Sequence, residues 1–362
     1  MNFNPFLQNL PTYLPGRPIE EVAREMKIPA SSIIKLASNE NPLGPSPKAL
    51  AALRQVLPQI HLYPDGQAYF FKHKLADSLG IEVNQLILGN GSNELIEFAA
   101  HALLSPGSEV VVSQYCFAIY PIVAKMFGAG VVTVPARNYG HDLQAMLEAI
   151  TPQTRIVFVA NPNNPTGTMA LREELIRFVN EVPQNVLVVL DEAYIEFLDD
   201  PVDFTGLIRL GTCPNVMLMR TFSKIHGLAG LRVGYGIGPA PLIAAFEKIR
   251  QPFNINLPAQ VAAAAALEDV EHVQKTRINN FQGLEYLSAG FRRLGLEYVP
   301  SHANFIMVKV GRGQFIFEAM QSRGVIVRPM GGYLLPEWIR VSVGLPQENE
   351  HCLAALHESL KS

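Results

Sequence analysis

Short apolar runs recur through the middle of the chain, each four to six residues long and separated by polar or helix-forming segments. Unbroken apolar runs of this length are typical of strands that helices cover on both faces. Amphipathic segments such as Asn93–Leu104 and Arg172–Val182 lie between several of the runs and predict helices. The pattern predicts an α/β protein with a large, mostly parallel seven-stranded sheet covered by helices on both faces. We predict the strands of this sheet at Leu86–Gly89, Glu109–Ser113, Val131–Pro135, Arg155–Ala160, Val186–Leu190, Val216–Arg220 and Val233–Gly238.

The two ends of the chain differ in character from this alternating middle. Residues 1–45 are rich in proline and asparagine, which predicts an extended arm that packs with a small domain or with a partner subunit. After Pro258 a long helix-prone segment precedes further strands and a last helix, which predicts a smaller α+β domain. We therefore expect an N-terminal arm at 1–45, a large domain at 46–258 and a small C-terminal domain at 259–362. Outside the large sheet, strands are predicted at Ile33–Ala37, Asn304–Val310, Val325–Arg328 and Trp338–Val343, and a helix near 347–360.

Charge and cysteine content exclude several classes of protein. The 362 residues carry a formal net charge of −3, which gives no electrostatic reason to expect nucleic acid or an anionic membrane as a partner. No apolar run approaches the ~20 residues that span a bilayer, and the start lacks the basic and apolar regions of a secretory signal. Cys116, Cys213 and Cys352 are too widely spaced for a disulfide framework or a CxxC metal site. We expect a cytoplasmic protein without a metal centre.

The most unusual local feature is the stretch Thr221-Phe222-Ser223-Lys224, which follows an apolar run and precedes a glycine-rich turn and Arg232. Lysine is a nucleophile only when its amine is neutral, and its ordinary pKa is near ~10.4. Partial burial and the neighbouring Arg232 would lower that pKa. Ser223 and Arg232 also offer the hydroxyl and the guanidinium that bind phosphate oxygens. An amine beside a phosphate site is what pyridoxal phosphate requires, although an ordinary loop with a solvated Lys224 is the simpler alternative.

Two loops that precede this stretch carry weaker signals. Ser92 and Asn93 follow a strand within a glycine-containing turn, where backbone N–H groups at a helix start attract phosphate. Ordinary helix capping explains these residues equally well. Tyr115 and Phe117 follow the next predicted strand, where an aromatic ring could stack on a planar group, with core packing as the commoner explanation.

Two further loops carry stronger signals. Residues 161–167, Asn-Pro-Asn-Asn-Pro-Thr-Gly, combine two prolines and a glycine in a rigid loop that presents an asparagine amide. Asp191 follows an apolar run, so its carboxylate needs a cationic partner; a protonated pyridine nitrogen would serve, and capping of the next segment is the alternative. Ligands of such sheets bind at the carboxyl ends of the strands, where these loops lie. The succession of asparagine loop, Asp191 and Lys224 predicts a pyridoxal phosphate site.

With these motifs the sequence resembles the fold-type I pyridoxal phosphate-dependent aminotransferases and, within that group, is similar to the histidinol-phosphate aminotransferases. The similarity extends from Leu-Ala-Ser-Asn-Glu-Asn-Pro-Leu-Gly at 36–44 to Trp-Ile-Arg-Val-Ser-Val-Gly at 338–344. It implies that the large domain binds pyridoxal 5′-phosphate covalently through Lys224 and that Asp191 pairs with the pyridine nitrogen. It also implies that Asn164 and Tyr194 bind the phenolic oxygen. Lys224, Asp191 and Tyr194 would be the catalytic residues.

The resemblance assigns the remaining cofactor contacts as well. Phe117 would stack on the ring, at a position where many relatives have tyrosine, and Tyr115 is the other candidate. The cofactor phosphate would be bound by the backbone amides of Ser92 and Asn93, by Ser223, by Arg232 and by Tyr63 from the other subunit. A contribution from Tyr63 would make a homodimer with shared active sites necessary for function.

Substrate-binding residues follow from the same resemblance. Arg340, in Ile-Arg-Val-Ser-Val, matches the position that binds the α-carboxylate of the amino donor. Arg328, in Val-Ile-Val-Arg-Pro, matches a position associated with the phosphate of histidinol phosphate. Tyr13 and Asn41 would line the same pocket. A surface ion pair is the alternative for either arginine, but both follow apolar runs.

The implied reaction is transamination between histidinol phosphate and 2-oxoglutarate, giving imidazole-acetol phosphate and glutamate in histidine biosynthesis. Lys224 would act as general base and acid. An aromatic amino-acid aminotransferase, a threonine-phosphate decarboxylase and a non-enzymatic cofactor-binding regulator are the alternatives. A decarboxylase differs from an aminotransferase in that it needs no keto acid. A regulator would need a basic DNA-reading module, and no such segment precedes the arm. The preferred amino donor and the strictness towards aromatic substrates stay open.

Overall fold

The strands and helices follow the alternation that the sequence predicts. A computed structural model describes residues 1, 3–8, 10–12 and 16–362. The strands are β1 (Ile34–Lys35), β2 (Leu86–Gly89), β3 (Glu109–Ser113), β4 (Gly130–Val134), β5 (Thr154–Ala160), β6 (Leu187–Asp191), β7 (Val216–Thr221), β8 (Gly234–Ile237), β9 (Tyr298–Val299), β10 (Phe305–Lys309), β11 (Val325–Ile326), β12 (Arg328–Pro329) and β13 (Trp338–Ser342). The α-helices are α1 (Ile19–Met26), α2 (Pro47–Val56), α3 (Tyr69–Leu79), α4 (Ser92–Leu103), α5 (Ile119–Met126), α6 (Leu143–Glu148), α7 (Arg172–Glu181), α8 (Phe204–Arg209), α9 (Ala240–Glu247), α10 (Leu257–Ala266), α11 (Val270–Arg293), α12 (Gly313–Gln321) and α13 (Pro346–Leu360). Short 3₁₀ turns lie at Pro5–Leu7, Ala30–Ser32, Leu57–Gln59, Val83–Gln85, Ile195–Phe197, Ala229–Leu231 and Gly331–Tyr333.

The large sheet has seven strands in the order β2-β8-β7-β6-β5-β3-β4. All neighbouring pairs among β4, β3, β5, β6 and β7 are parallel, whereas β8 runs antiparallel to both of its neighbours. Because β8 is reversed on both sides, β2 runs in the same direction as β7. The carboxyl ends of six strands and the amino end of β8 therefore meet at one edge of the sheet. The predicted mostly parallel, seven-stranded α/β sheet is confirmed.

Successive side chains of the central strands enter two different cores. In β5, Val157 and Val159 belong to one buried apolar cluster, and Ile156 and Phe158 belong to another. The side chains of a strand alternate between the two faces of its sheet, so two clusters mean that both faces are buried. Because both faces are buried, these strands appear in the sequence as unbroken apolar runs. Polar residues are confined to the ends of these central strands.

The C-terminal part forms a second sheet, which is antiparallel and has the order β12-β13-β10-β9. The N-terminal arm packs on this part of the chain: β1 pairs in parallel with β11 in a separate two-stranded sheet, and Leu36 and Ala37 lie in the same buried cluster as residues of α12 and α13. The predicted strand at 325–328 is divided, since Val325–Ile326 pairs with the arm and Arg328–Pro329 pairs with β13. Helix α10 packs against α2 and α3 in the core of the large sheet. The domain limits at 45 and 258 stay predictions.

None of the helices in the described part of the chain combines the length and the apolar character needed to cross a membrane.

Candidate active site

A cavity of about 270 Å³ opens at the edge where the strand ends of the large sheet meet the second sheet and the arm. Polar side chains of the large sheet converge there because they lie at or after strand ends, and the strands β12 and β13 of the second sheet add Arg328 and Arg340. The sequence-predicted residues that line this cavity are Ser92, Asn93, Phe117, Asn164, Asp191, Tyr194, Ser223, Lys224, Arg232, Arg328 and Arg340.

Lys224 lies in the turn after β7, and its Nζ donates a hydrogen bond to the backbone oxygen of Ser38 in the arm, at 3.3 Å. Burial lowers the pKa of its amine from 10.5 to about 8, and the positive charges of Arg340 and Arg232 act in the same direction. A solvated lysine on an ordinary loop, the alternative considered for this stretch, is not what the structure shows. About a tenth of such amines are neutral at pH 7, which makes Lys224 a nucleophile and a base under physiological conditions.

The turn that carries Lys224 is held against the arm by two glycines. Gly227 has a φ of +68°, and a Cβ on it would lie 2.1 Å from the backbone oxygen of Gly44. Glycine is required at this contact because any side chain would separate the two loops. The side chain of Asn41 adds a hydrogen bond of 2.8 Å to the backbone oxygen of Ile225. The asparagine- and proline-rich motif of the arm thus positions the lysine turn.

Asp191 is the last residue of β6 and is 7% exposed. Its Oδ2 accepts a hydrogen bond of 2.6 Å from the Tyr120 hydroxyl, and its Oδ1 accepts one of 3.1 Å from the backbone N–H of Ala193. Burial raises the pKa of this carboxyl, while both hydrogen bonds and the charge of Lys224 oppose the rise. Asp191 therefore keeps acceptor capacity beyond these two hydrogen bonds and lines the cavity, where it can face a cation.

An anion cradle forms where α4 begins beside Arg232. The first N–H groups of a helix have no partner within the helix and carry a partial positive charge. Gly91 precedes α4 with a φ of +75°, and a Cβ there would lie 2.3 Å from a terminal nitrogen of the Arg232 guanidinium. The other terminal nitrogen donates to the Ser223 hydroxyl at 3.4 Å. Backbone N–H groups, a hydroxyl and a guanidinium thus converge in a site that matches a phosphate.

Tyr194 and Asn164 also line the cavity. Burial raises the pKa of the Tyr194 phenol to about 12, so the hydroxyl stays protonated, and it accepts a 2.9 Å hydrogen bond from the Asn39 amide. Lys224 Nζ lies 5.6 Å from the centre of the Tyr194 ring. Asn164 accepts a hydrogen bond of 2.5 Å from Arg340, which leaves its amide N–H groups for a ligand oxygen.

Two arginines lie next to each other on neighbouring strands of the second sheet. Arg328 of β12 and Arg340 of β13 are direct partners in the antiparallel register, and both line the cavity. Arg340 is 6% exposed, donates to the backbone oxygen of Ala37 at 3.0 Å and lies over the Phe305 ring at 4.9 Å. Like charges directly opposite each other destabilise a sheet. An arrangement of this kind is favourable when anionic groups bind between or beside the guanidinium groups.

Two predicted site residues in the described part of the chain, Tyr63 and Asn41, do not line this cavity. Tyr63 is 84% exposed and stacks on Phe253, with ring centres 4.9 Å apart. The Asn41 amide donates to the backbone oxygen of Ile225 and to Thr276 Oγ1, the latter at 3.1 Å, and its role in substrate binding stays a prediction. Tyr13 lies outside the described residues.

The structure also separates the two aromatic candidates. Phe117 lines the cavity, whereas the Tyr115 ring packs against Tyr139, with ring centres 6.0 Å apart. This geometry favours Phe117 as the residue that stacks on a cofactor ring, and the assignment stays a prediction.

Sequence reasoning missed several residues of the site, namely Asn39, Glu40, Tyr120 and Tyr333. Asn39 has a φ of +55°, and this left-handed turn directs it to Tyr194 in place of Asn41, two residues later. The sequence signal was the motif Ser-Asn-Glu-Asn, which does not reveal which asparagine faces the cavity. Tyr120 lies in α5, which follows β3, and reaches Asp191 of β6, a strand that does not neighbour β3, so no local pattern could have revealed the contact.

Comparison with known proteins agrees with this geometry. Residues 31–356 match the family model described as aminotransferase class I and II. The chain is 51% identical to a histidinol-phosphate aminotransferase of Akkermansia muciniphila, over 99% of this chain and 98% of the relative. It is 50% identical to histidinol-phosphate aminotransferase 2 of Pseudomonas fluorescens, over 98% of this chain and 96% of the relative.

Solved structures of similar proteins have the same fold. A histidinol-phosphate aminotransferase from Sinorhizobium meliloti, solved in complex with pyridoxal-5′-phosphate, superposes with a TM-score of 0.89 at 29% identity and covers 99% of this chain and 97% of its own. An aspartate aminotransferase of Thermus thermophilus, at 21% identity, shares the fold with a TM-score of 0.84 over 99% of this chain and 100% of its own. The chain belongs to the class I and II aminotransferase family, on the branch whose relatives are named histidinol-phosphate aminotransferases.

Proposed function

We propose that this protein is a pyridoxal phosphate-dependent aminotransferase that transfers the amino group between histidinol phosphate and 2-oxoglutarate, giving imidazole-acetol phosphate and glutamate in histidine biosynthesis. One observation carries the proposal: Lys224, Asp191, the anion cradle and the Arg328–Arg340 pair line a single cavity. The similarity of about 50% over nearly the full length to relatives named for this activity supports the choice of substrate.

The residues of the cavity fit pyridoxal 5′-phosphate group by group. The cradle at the start of α4 matches its phosphate, and the buried Asp191 carboxylate matches a protonated ring nitrogen. Asn164 and Tyr194 supply donors for the phenolic oxygen, Phe117 supplies a ring face, and Lys224 an amine for the aldehyde. When bound, the cofactor supplies an aldehyde that accepts amino groups and a ring that withdraws electrons from the substrate carbon.

Lys224 performs the proton transfer. Once the substrate amine has taken its place, the Nζ atom is a free amine whose pKa, about 8 before substrate binds, lies near the working pH. It then removes the proton from the α-carbon of the substrate and returns a proton in the reverse direction. The arm covers this amine from one side through Ser38, which limits the access of water to it.

The arginine pair explains the choice of anionic substrates. Arg340, fixed by Asn164 and Ala37, binds the α-carboxylate of glutamate, and Arg328 binds the phosphate of histidinol phosphate. Both substrates carry an anion, and the two half-reactions use the same cavity in turn. Aromatic amino acids bring no phosphate for Arg328 to bind, so the enzyme should prefer histidinol phosphate to them, in contrast to an aromatic aminotransferase.

The enzyme is further proposed to act as a homodimer with shared active sites. Tyr63 lies outside the cavity of its own chain, is highly exposed and belongs to a region with further exposed apolar side chains, including Tyr69 and Phe70. Exposed apolar patches of this kind mark interaction surfaces. In the dimer Tyr63 would reach the cofactor phosphate of the other subunit. A cytoplasmic location stays a prediction from the sequence.

The test is chemical trapping combined with kinetics. Reduction of the purified holoenzyme with borohydride should fix the cofactor onto the peptide that contains Lys224. Histidinol phosphate and glutamate should each convert the cofactor to its amino form, and phenylalanine should do so far more slowly. Labelling of a different lysine would contradict the proposed site, and equal rates for phenylalanine would favour an aromatic aminotransferase.

Sharing of sites between subunits has its own test. Tyr63→Phe and Lys224→Ala chains are mixed under conditions of proven subunit exchange. In the heterodimer one site carries both substitutions and the other carries neither, so activity rises above that of both parents if Tyr63 acts across the interface. Mixtures without any recovery would refute the shared site.

A further inference from the structure

Tyr120 connects three elements beneath the cavity. It lies in the first turn of α5, at the carboxyl end of β3, and it is fully buried. Its ring stacks on Phe158 of β5, with centres 4.5 Å apart and planes 5° from parallel. Its hydroxyl passes beyond β5 and reaches Asp191 at the end of β6, at 2.6 Å. The Tyr120 side chain thus crosses β5, with its ring packed on Phe158 and its hydroxyl bonded to Asp191.

The direction of this hydrogen bond is fixed by charge. Burial and the neighbouring Asp191 charge raise the pKa of the Tyr120 phenol well above its usual range, so the hydroxyl remains protonated and is the donor. Asp191 is the acceptor, and its pKa is lowered by this bond against the effect of burial. Of the two hydrogen bonds that Asp191 accepts, this one is the shorter and it comes from a side chain.

The same tyrosine also contacts the aromatic side chain at the cavity wall. The Phe117 ring lies edge-on to the Tyr120 ring, with centres 5.6 Å apart. Phe117 is three residues earlier, in the loop between β3 and α5. Tyr120 therefore joins the residue that faces the proposed cofactor ring to the residue that faces its nitrogen.

We infer that Tyr120 is a positioning residue, which keeps Asp191 ionised and oriented towards the ring nitrogen of the cofactor and thereby sustains the electron-withdrawing power of that ring. The inference rests on the proposed function, because it concerns the same site. Tyr120 touches neither cofactor nor substrate and acts through Asp191. Without the Tyr120 hydroxyl, the Asp191 carboxyl, which is 7% exposed, still bears the cost of burial but loses its shortest hydrogen bond. The neutral form of Asp191 then becomes more populated.

The test compares two ligands on the complete protein after removal of cofactor. One ligand is pyridoxal phosphate, and the other is the analogue in which a C–H group replaces the ring nitrogen. Tyr120→Phe should weaken the binding of pyridoxal phosphate about 10-fold, in line with the loss of one charge-assisted hydrogen bond, and change the binding of the analogue less than about twofold. In the holoenzyme kcat should fall about 10-fold for both half-reactions, with KM little changed, because Asp191 does not bind substrate.

Tyr235→Phe is the matched control. Tyr235 is a buried tyrosine of β8 in the same sheet whose phenol faces Arg220 and not Asp191. This variant should show no difference between the two ligands, and thermal unfolding of both variants reports any loss of stability. Equal weakening of both ligands by Tyr120→Phe, no weakening, or the same selectivity in Tyr235→Phe would each overturn the inference. A wild-type protein that fails to bind pyridoxal phosphate at Lys224 would instead overturn the proposed function on which the inference depends.

Discussion

The cavity has two regions that attract anions, and they are built in opposite ways. The cradle at the start of α4 is formed by backbone N–H groups, a hydroxyl and Arg232, brought together by close approach at Gly91. The Arg328–Arg340 pair is formed by two long side chains from neighbouring strands, aligned by the register of β12 and β13. The cradle requires that position 91 has no side chain, whereas the pair requires the two side chains of Arg328 and Arg340.

This difference indicates what each region is for. Backbone groups cannot move far, so the cradle suits a group that stays bound through many turnovers. Guanidinium groups on side chains can bind a carboxylate or a phosphate, so the pair suits substrates that alternate in the site. Both regions act on Lys224, because the charges of Arg340 and Arg232 both lower the pKa of its amine.

Replacement of Lys224, on which the charges of both regions act, should have the largest effect. Lys224→Ala should reduce the rate of both half-reactions at least about 10³-fold, since the covalent attachment and the proton transfer are lost together. The cradle and the arginine pair remain, so cofactor and substrates should still bind, as equilibrium dialysis would show. Lys248→Ala, at an exposed position directly after α9, is the control. A rate loss below tenfold would remove Lys224 from the mechanism.

Replacement of Arg328 should break one region and spare the other. Arg328→Ala should reduce kcat/KM for histidinol phosphate at least about 10²-fold, about 3 kcal/mol for a lost charge-assisted contact. Turnover of glutamate should change much less, because its carboxylate is assigned to Arg340. Steady-state kinetics of each half-reaction measure this, with the exposed Arg312→Ala as control. Equal losses in both half-reactions would mean that Arg328 has a structural role.

A methyl group at Gly91 should break the cradle and spare the arginine pair. A Cβ there would lie 2.3 Å from the Arg232 guanidinium, so Gly91→Ala should weaken cofactor binding about 10-fold with little change in substrate KM. Gly107→Ala is a matched control: its φ is +90°, and no described atom lies within 4 Å of the added Cβ. Both variants carry the backbone strain of a left-handed residue, and only the first should lose cofactor. Similar cofactor affinities for the two variants would contradict the cradle.

The smallest effect concerns the pKa of Lys224 and compares the two regions directly. The reaction of its amine with added cofactor should speed up as the pH rises through about 8, because the protonated form, which dominates below that pH, is unreactive. Arg340→Gln removes the larger of the two cationic contributions and should move the midpoint towards 10.5, and Arg232→Gln should move it less. Absorbance titration measures both shifts. A larger shift for Arg232→Gln would reverse the proposed ranking.

Much of the fold was readable from the sequence because each large-sheet strand is buried on both faces. The runs at 86–89 and 109–113 match β2 and β3 at both ends, and the other strands of this sheet differ by one residue at one or both ends. The second sheet was less readable: β9 was missed, and the strand at 325–328 turned out to serve two sheets. Strands of two residues carry too few side chains for a period to be visible.

The sequence by itself determined the chemistry that each loop could offer. Lys224, Asp191, Asn164 and Arg232 were identifiable because each follows a strand or flanks a glycine turn, and parallel strands bring their carboxyl ends to one edge. Tertiary structure decided what no local pattern contains. The left-handed backbone of Asn39 placed it on Tyr194, the register of two strands set Arg328 against Arg340, and the packing of α5 brought Tyr120 to Asp191. These contacts join residues that are distant in the chain, so they arise from how buried surfaces pack together and not from the order of neighbouring residues.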